Sequence, residues 1–272
     1  MADVKKLIDV LLEKDSYDFN DLCDVVRVLR SDVGCPWDRE QDHKSIRNDL
    51  IEETYEVIEA IDNEDKVLLK EELGDVLLQV VFHTSIEEDE GSFDINDVSN
   101  DICKKLIHRH PHVFGDVVAE TSDKVLENWD KIKSDEKSRN TIYSTMKSVP
   151  PMLPALIRAR KIGSRAAKVG FDFANVNDAL KKIDEERLEL SAAINTENAA
   201  EELGDLLFSV VNVARILKID PEQALNDSTR KFMDRFKAME ESVLDDGKEL
   251  SLMSLDELDA YYNLVKAKMQ NG

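Results

Sequence analysis

The sequence predicts an all-α fold built as a tandem duplication of one helical bundle, and three observations carry that prediction. Hydrophobic residues make up 42% and charged residues 35% of the 272 positions, with only 9 Gly and 6 Pro. Such a chain offers few turns, so strands must be few. Apolar side chains recur at three- and four-residue steps, the period of a helix with one buried face. Finally, a block returns: Glu71 to Val81 reads EELGDVLLQVV and Glu201 to Val211 reads EELGDLLFSVV, identical at 8 of 11 positions.

Taken in chain order, residues 1–21 have no counterpart in the repeat and read as an added N-terminal helix. The helical period then runs through Asp21 to Arg30, Ile46 to Ile61, Val67 to Ile86, Ile95 to Ile107 and Lys124 to Ile132. Cys35-Pro36-Trp37 reads as the entry to a helix, with Asp38 near its N-terminus and no chemistry assigned. Ser134 to Pro154 is polar and holds Pro150, Pro151 and Pro154, the content of a linker. The predicted organisation is therefore copy one at 22–137, a linker at 138–152 and copy two at 153–272. The match extends beyond the block: Val33-Gly34 answers Val169-Gly170, Lys105 and Arg109 answer Lys231 and Arg235, and Trp129 answers Tyr262.

A formal charge of −22, from 36 basic and 58 acidic side chains, repels phosphate backbones and anionic membranes. Nucleic acid and membrane are thereby disfavoured as partners. An anionic small substrate requires a divalent cation or a local basic cluster. Cys23, Cys35 and Cys103 lie far apart with no CxxC pair, which fits a reducing cytosol. The N-terminus lacks a signal-peptide apolar run and no stretch reaches membrane-span length. The expected location is cytoplasmic.

In each copy an EExxE segment falls on one predicted helix and an ExxD segment on the next. Residues i and i+3 share a helix face, so Glu53 with Glu56, and Glu72 with Asp75, each aim two carboxylates one way. Glu186 with Glu189, and Glu202 with Asp205, repeat the arrangement. If the helices are antiparallel neighbours, four carboxylates converge. Like charges at that range repel strongly, and a hard oxygen-liganded cation such as Mg²⁺ relieves the repulsion while also binding phosphates. Acidic helix faces are usually just solvated, but here the acids sit at matching offsets in both copies. Gly74 and Gly204 stand beside them, although a helix-interior Gly costs about 1 kcal/mol relative to Ala. A di-iron bundle would need a Glu-x-x-His pair from each of two helices. The chain has one, Glu40 to His43, outside the repeat.

With GCPWD at Gly34 to Asp38, the two EELGD blocks and RHPHVF at Arg109 to Phe114, the chain resembles the tandem-domain MazG family over about residues 22–270. The resemblance implies an all-α NTP pyrophosphatase fold, a homodimer, and Mg²⁺-dependent hydrolysis of nucleoside triphosphates to monophosphate and pyrophosphate, with Mn²⁺ as a substitute. It also implies the metal ligands: Glu186, Glu189, Glu202 and Asp205, and by repetition Glu53, Glu56, Glu72 and Asp75.

Other residues carry expectations of their own. Lys231 and Arg235, four apart on one face and recurring as Lys105 and Arg109, could contact the triphosphate. Tyr262, or Trp129, could stack on a nucleobase, or could instead close the core. Lys182 stands one turn before Glu186, where copy one has Asp49, so copy two is expected to receive the anionic substrate better. Glu185 and Glu52 are spare acids beside the ligands and candidates for the general base. His108, His110 and His112 read as a helix-end capping feature. The mechanism needs no P-loop, and no GxxxxGK(S/T) is present. The rival reading is a non-catalytic nucleotide-binding regulatory protein on the same scaffold.

Overall fold

The computed structural model describes residues 2–117, 121, 124–125, 128–129, 132 and 141–270. Among these residues every regular element is a helix. The chain divides into two compact units, 1–133 and 134–272.

In the first unit, α1 (Ala2–Leu12) packs on α2 (Phe19–Arg30). Asp18 starts α2 with a capping box: its carboxylate accepts from the Asn20 and Asp21 amides, and Asp21 returns the bond to the Asp18 amide. The expected CPW entry is helix α3 (Pro36–Glu40), with Cys35 at its N-cap and Pro36 at the first position, where proline's missing N–H costs nothing. Next comes a helical hairpin, α4 (Arg47–Asp62) and α5 (Lys66–Asp89). Its turn is closed by Asp65, whose carboxylate accepts from the Val67 and Leu68 amides. Val26, Ile46, Val81, Phe82 and Ile86 form the apolar centre where α2 and the segment before α4 meet α5. Helix α6 (Ile95–Arg109) ends at His110, whose ring nitrogen lies 2.6 Å from the Leu106 carbonyl, and α7 (Pro111–Phe114) follows. His110 thus acts at a helix end. The expected helix over Lys124 to Ile132 lies largely outside the described residues.

The second unit repeats the hairpin. Helix α9 (Ala155–Ala167) is followed by the pair α10 (Val176–Ala193) and α11 (Ala199–Ile216), then by α12 (Pro221–Asp245) and α13 (Leu255–Gln270). The stretch expected to be linker at 138–152 holds a helix, α8 (Ile142–Lys147), which packs on α9 and belongs to this unit. Thr141 starts this helix: its hydroxyl accepts from the Ser144 amide, a signal that the nearby prolines obscure in the sequence.

Both hairpins are apolar beyond what their own unit covers. Ile51, Ile58, Leu73 and Leu77 in one, and Leu188, Leu203 and Leu207 in the other, remain exposed. Among the described residues no helix is long and apolar enough to cross a membrane.

Candidate metal centres

Each hairpin brings three glutamates together. On α4 and α5, carboxylate oxygens of Glu53, Glu56 and Glu72 all lie within 4.8 Å of one another; on α10 and α11, those of Glu186, Glu189 and Glu202 do the same. The i, i+3 spacing supplies two ligands from one helix, and the antiparallel partner supplies the third. Asp75 and Asp205 stand one turn beyond Glu72 and Glu202 and fall outside these groups, so three carboxylates converge in each unit rather than the four expected. An aspartate is one methylene shorter than a glutamate and reaches less far from the same face. Asp75 nevertheless acts on the first cluster, since its charge opposes ionisation of both Glu53 and Glu72.

The electrostatics of both clusters are dominated by burial and by the mutual repulsion of their carboxylates. Burial pushes the Glu53 carboxyl up to about 7; the charges of Asp75, Glu56 and Glu72 and a hydrogen bond with Glu56 push the same way. Glu72 is raised, first by burial and then by Glu56 and Asp75. In the second cluster Glu189 is raised by burial and by Glu186, with Lys182 opposing. Glu186 is buried at 4% exposure. One of its oxygens meets Lys182 at 2.7 Å, while the other, Oε2, is buried without a hydrogen-bond partner. An orphaned carboxylate oxygen in a group of three is the donor chemistry that a hard cation completes. The residues fit a divalent metal.

Lys182 is the main difference between the copies. Its ammonium bonds Glu185 at 2.8 Å as well as Glu186, and both contacts raise its pKa. It therefore sits against the cluster and offsets part of its charge, rather than extending into open space. Glu185 is exposed and joined to that lysine, and Glu52 is exposed in the first unit.

The remaining candidates are placed as follows. Lys231 and Arg235 line a cleft of about 480 Å³ together with Asp227, Arg230 and Asp234 of α12 and Met269 of α13, and Arg235 Nε is buried without a partner. Lys105 is exposed on α6. Arg109 is buried, its guanidinium 5.6 Å from the Trp129 ring centre, a cation–π arrangement. Tyr262 packs its ring 5.9 Å from Phe232, helping to join α12 and α13.

One polar constellation had no sequence signal. His43 Nδ1 lies 2.8 Å from His83 Nδ1, and His43 Nε2 lies 2.7 Å from Glu87. The ring centroids are 5.1 Å apart at an interplanar angle of 11°, so the nitrogens face each other in nearly one plane. This chain of bonds ties the segment before α4 to α5. Only the i, i+4 spacing of His83 and Glu87 was visible; His43 arrives from a distant part of the chain.

Comparison with known proteins agrees with this geometry. The model of the MazG nucleotide pyrophosphohydrolase domain matches the chain twice, at residues 41–114 and 175–239, each match containing one glutamate cluster. The chain is 46% identical over 91% of its length, and 95% of the relative's, to the nucleoside triphosphate pyrophosphohydrolase/pyrophosphatase MazG of Thermotoga maritima. It is 42% identical over 88% of its length to a nucleoside triphosphate pyrophosphohydrolase of Escherichia coli, covering 93% of that protein. It is also 46% identical to the uncharacterized protein YabN of Bacillus subtilis, of which it spans 52%. Two domain matches, two clusters on equivalent hairpins and full-length similarity place this chain in the MazG nucleotide pyrophosphohydrolase family.

Proposed function

We propose that this protein is a Mg²⁺-dependent nucleoside triphosphate pyrophosphohydrolase of the cytoplasm, releasing nucleoside monophosphate and pyrophosphate in a house-cleaning or pool-control role, with Mn²⁺ as an alternative metal. The observation that carries this reading is the pair of glutamate clusters, one of them with the buried, partnerless Glu186 Oε2. Relatives similar over most of the chain bear the name of that activity.

Glu186, Glu189 and Glu202, with Asp205 one turn away, would hold the metal in the second unit; Glu53, Glu56, Glu72 and Asp75 would do so in the first. Bound there, Mg²⁺ would polarise the phosphate oxygens and favour ionisation of a water. The protein's own groups do the rest. Glu185, beside the ligands, accepts the proton of the attacking water, with Glu52 as its counterpart. Lys182 reduces the negative field that the triphosphate meets. Lys231 and Arg235 contact the phosphates from their cleft, and Lys105 and Arg109 are their equivalents in copy one. Tyr262, with Trp129 as its counterpart, would stack on the nucleobase. The apolar residues left exposed on both hairpins support a homodimer.

The test is incubation with a mixture of nucleoside triphosphates and Mg²⁺ or chelator. Appearance of monophosphate with Mg²⁺ and its loss with chelator is the expected result. Binding of nucleotide without any turnover would favour the regulatory alternative.

A further inference from the structure

The histidine pair at the entry to α4 belongs to neither glutamate cluster. We propose that His43, His83 and Glu87 form a proton-operated latch, which fastens residues 42–45 to α5 while one hydrogen bridges the two rings and releases them when both rings are protonated.

The geometry of the pair comes first. The two Nδ1 atoms are 2.8 Å apart, and the ring centroids are 5.1 Å apart at an interplanar angle of 11°. Those distances differ by two ring radii, so both nitrogens lie near the line joining the ring centres and point head-on at each other. Such a contact holds a single hydrogen. Glu87 lies 2.7 Å from His43 Nε2; a carboxylate only accepts, so Nε2 carries a hydrogen and, in the neutral pair, His83 Nδ1 donates to His43 Nδ1. A proton taken up at the far nitrogen of His83 moves the bridging hydrogen onto His43, whose imidazolium then faces the Glu87 charge. The bridge survives that step. A second proton puts an N–H on each Nδ1, and two cationic rings facing each other at that distance repel.

The surroundings come second. His83 is half-buried, and burial together with the charge of His43 holds it below the ordinary 6.5. The other charged groups around the pair are engaged elsewhere. On α2, Arg27 pairs with Asp24 and with Glu88 of α5, and Arg30 pairs with Asp89 of α5. In the connecting segment Asp42 accepts from the Lys44 and Ser45 amides. Asp94 and Asp97 cap the start of α6, and Lys44, Arg47 and Asp49 stand at the entry to α4. Among the described residues Glu87 is the one carboxylate bonded to the pair, so it offsets one imidazolium and not two.

What the latch holds comes third. The first half of the connection from α2 to α4 is fixed without the histidines. The Cys35 amide donates to the Leu29 carbonyl at 2.8 Å, and Arg30 donates to the carbonyls of Asp38 and Gln41 at 3.0 and 3.3 Å. Gly34 lies so close to α2 that a Cβ would stand 2.1 Å from the Val28 carbonyl oxygen. Residues 42–45, by contrast, form a turn bonded within itself. Among the described residues the bonds of His43 are those that tie this turn to α5, before Ile46 enters the apolar centre. Opening is therefore local. Continuing the repeated block, Val213 and Leu217 stand in copy two where copy one has His83 and Glu87, so the latch belongs to the first unit alone.

The experiment follows the five histidines by NMR in full-length protein labelled at histidine Cε1, with signals assigned through His43→Gln and His83→Phe, and measures amide hydrogen exchange of residues 42–46 from about pH 5 to 8. In the wild type His83 titrates below 6.5 and moves up toward it in His43→Gln. Across the His83 step, exchange of residues 42–46, corrected for its intrinsic pH dependence, quickens by about tenfold or more while the amides of α5 stay protected. His83→Phe abolishes the step. Glu87→Gln removes the counter-charge of the first proton and moves the step to higher pH, which a merely structural contact would not do. Exchange that ignores the His83 titration, or a His83 titration unmoved by His43→Gln, overturns the proposal. If His83→Phe fails to fold, Glu87→Gln decides: the upward move supports the latch and an unmoved step overturns it. Glu53, raised to about 7, titrates on α4 in the same range, so the step must persist in Glu53→Gln, and its disappearance there also overturns the proposal.

Discussion

Glu53 illustrates how a single carboxyl reports on its cluster. Its pKa is about 7 in the folded chain against an ordinary 4.5, so between those values the folded state holds more protons than the unfolded one. Stability of the metal-free protein therefore falls as pH rises through that window. Thermal melts of chelated protein from pH 4.5 to 7 should show this decline, Mg²⁺ should reverse it near pH 7, and Glu53→Gln should flatten it. Rising stability across the window in chelated wild type contradicts the account. At the same scale, Lys182 makes the copies unequal: it bonds Glu186, whereas Asp49 precedes Glu53. Glu186→Ala/Glu189→Ala should lower kcat/KM by roughly a hundredfold or more, since even outer-shell changes cost 10–100-fold. Glu53→Ala/Glu56→Ala should lower it much less. The reverse order, in folded proteins, would assign turnover to copy one. The sequence has Lys182 within reach of a bound triphosphate; the geometry adds that its ammonium is shared between Glu185 and Glu186, at the i, i+3 and i, i+4 spacings.

Among the elements, the two hairpins do the positioning. Asp65 caps α5, the helix that carries Glu72, so Asp65→Ala should destabilise the protein by about 1 kcal/mol. Urea unfolding would measure that loss. Helices of this kind were legible because their apolar residues keep a 3.6 period, and the glutamate clusters were legible because i, i+3 spacing repeats in both copies. Contacts joining distant segments were not. Arg109, expected to contact phosphate, is also buried with its guanidinium over Trp129, a contact that no spacing announces. Tyr262, read either as a base platform or as a ring closing the core, packs against Phe232. His43 finds His83 only after α2, α4 and α5 have packed.

For the whole molecule, duplication has produced two hairpins with the same carboxylate plan and different surroundings. Copy one packs its interior tightly behind an uncompensated cluster, and copy two has a lysine at the cluster. Metal bound by the native clusters alone should also stabilise the fold by mass action, so the melting temperature should rise with Mg²⁺ and fall with chelator. A melting curve indifferent to both, in protein shown metal-free at the start, would count against the metal sites. The central claim concerns which bond is cut, and phosphorus-31 NMR of the products reads that directly. With nucleoside triphosphate and Mg²⁺, the account predicts monophosphate and pyrophosphate in equal amounts from the first minutes; nucleoside diphosphate with orthophosphate as the main products would contradict it.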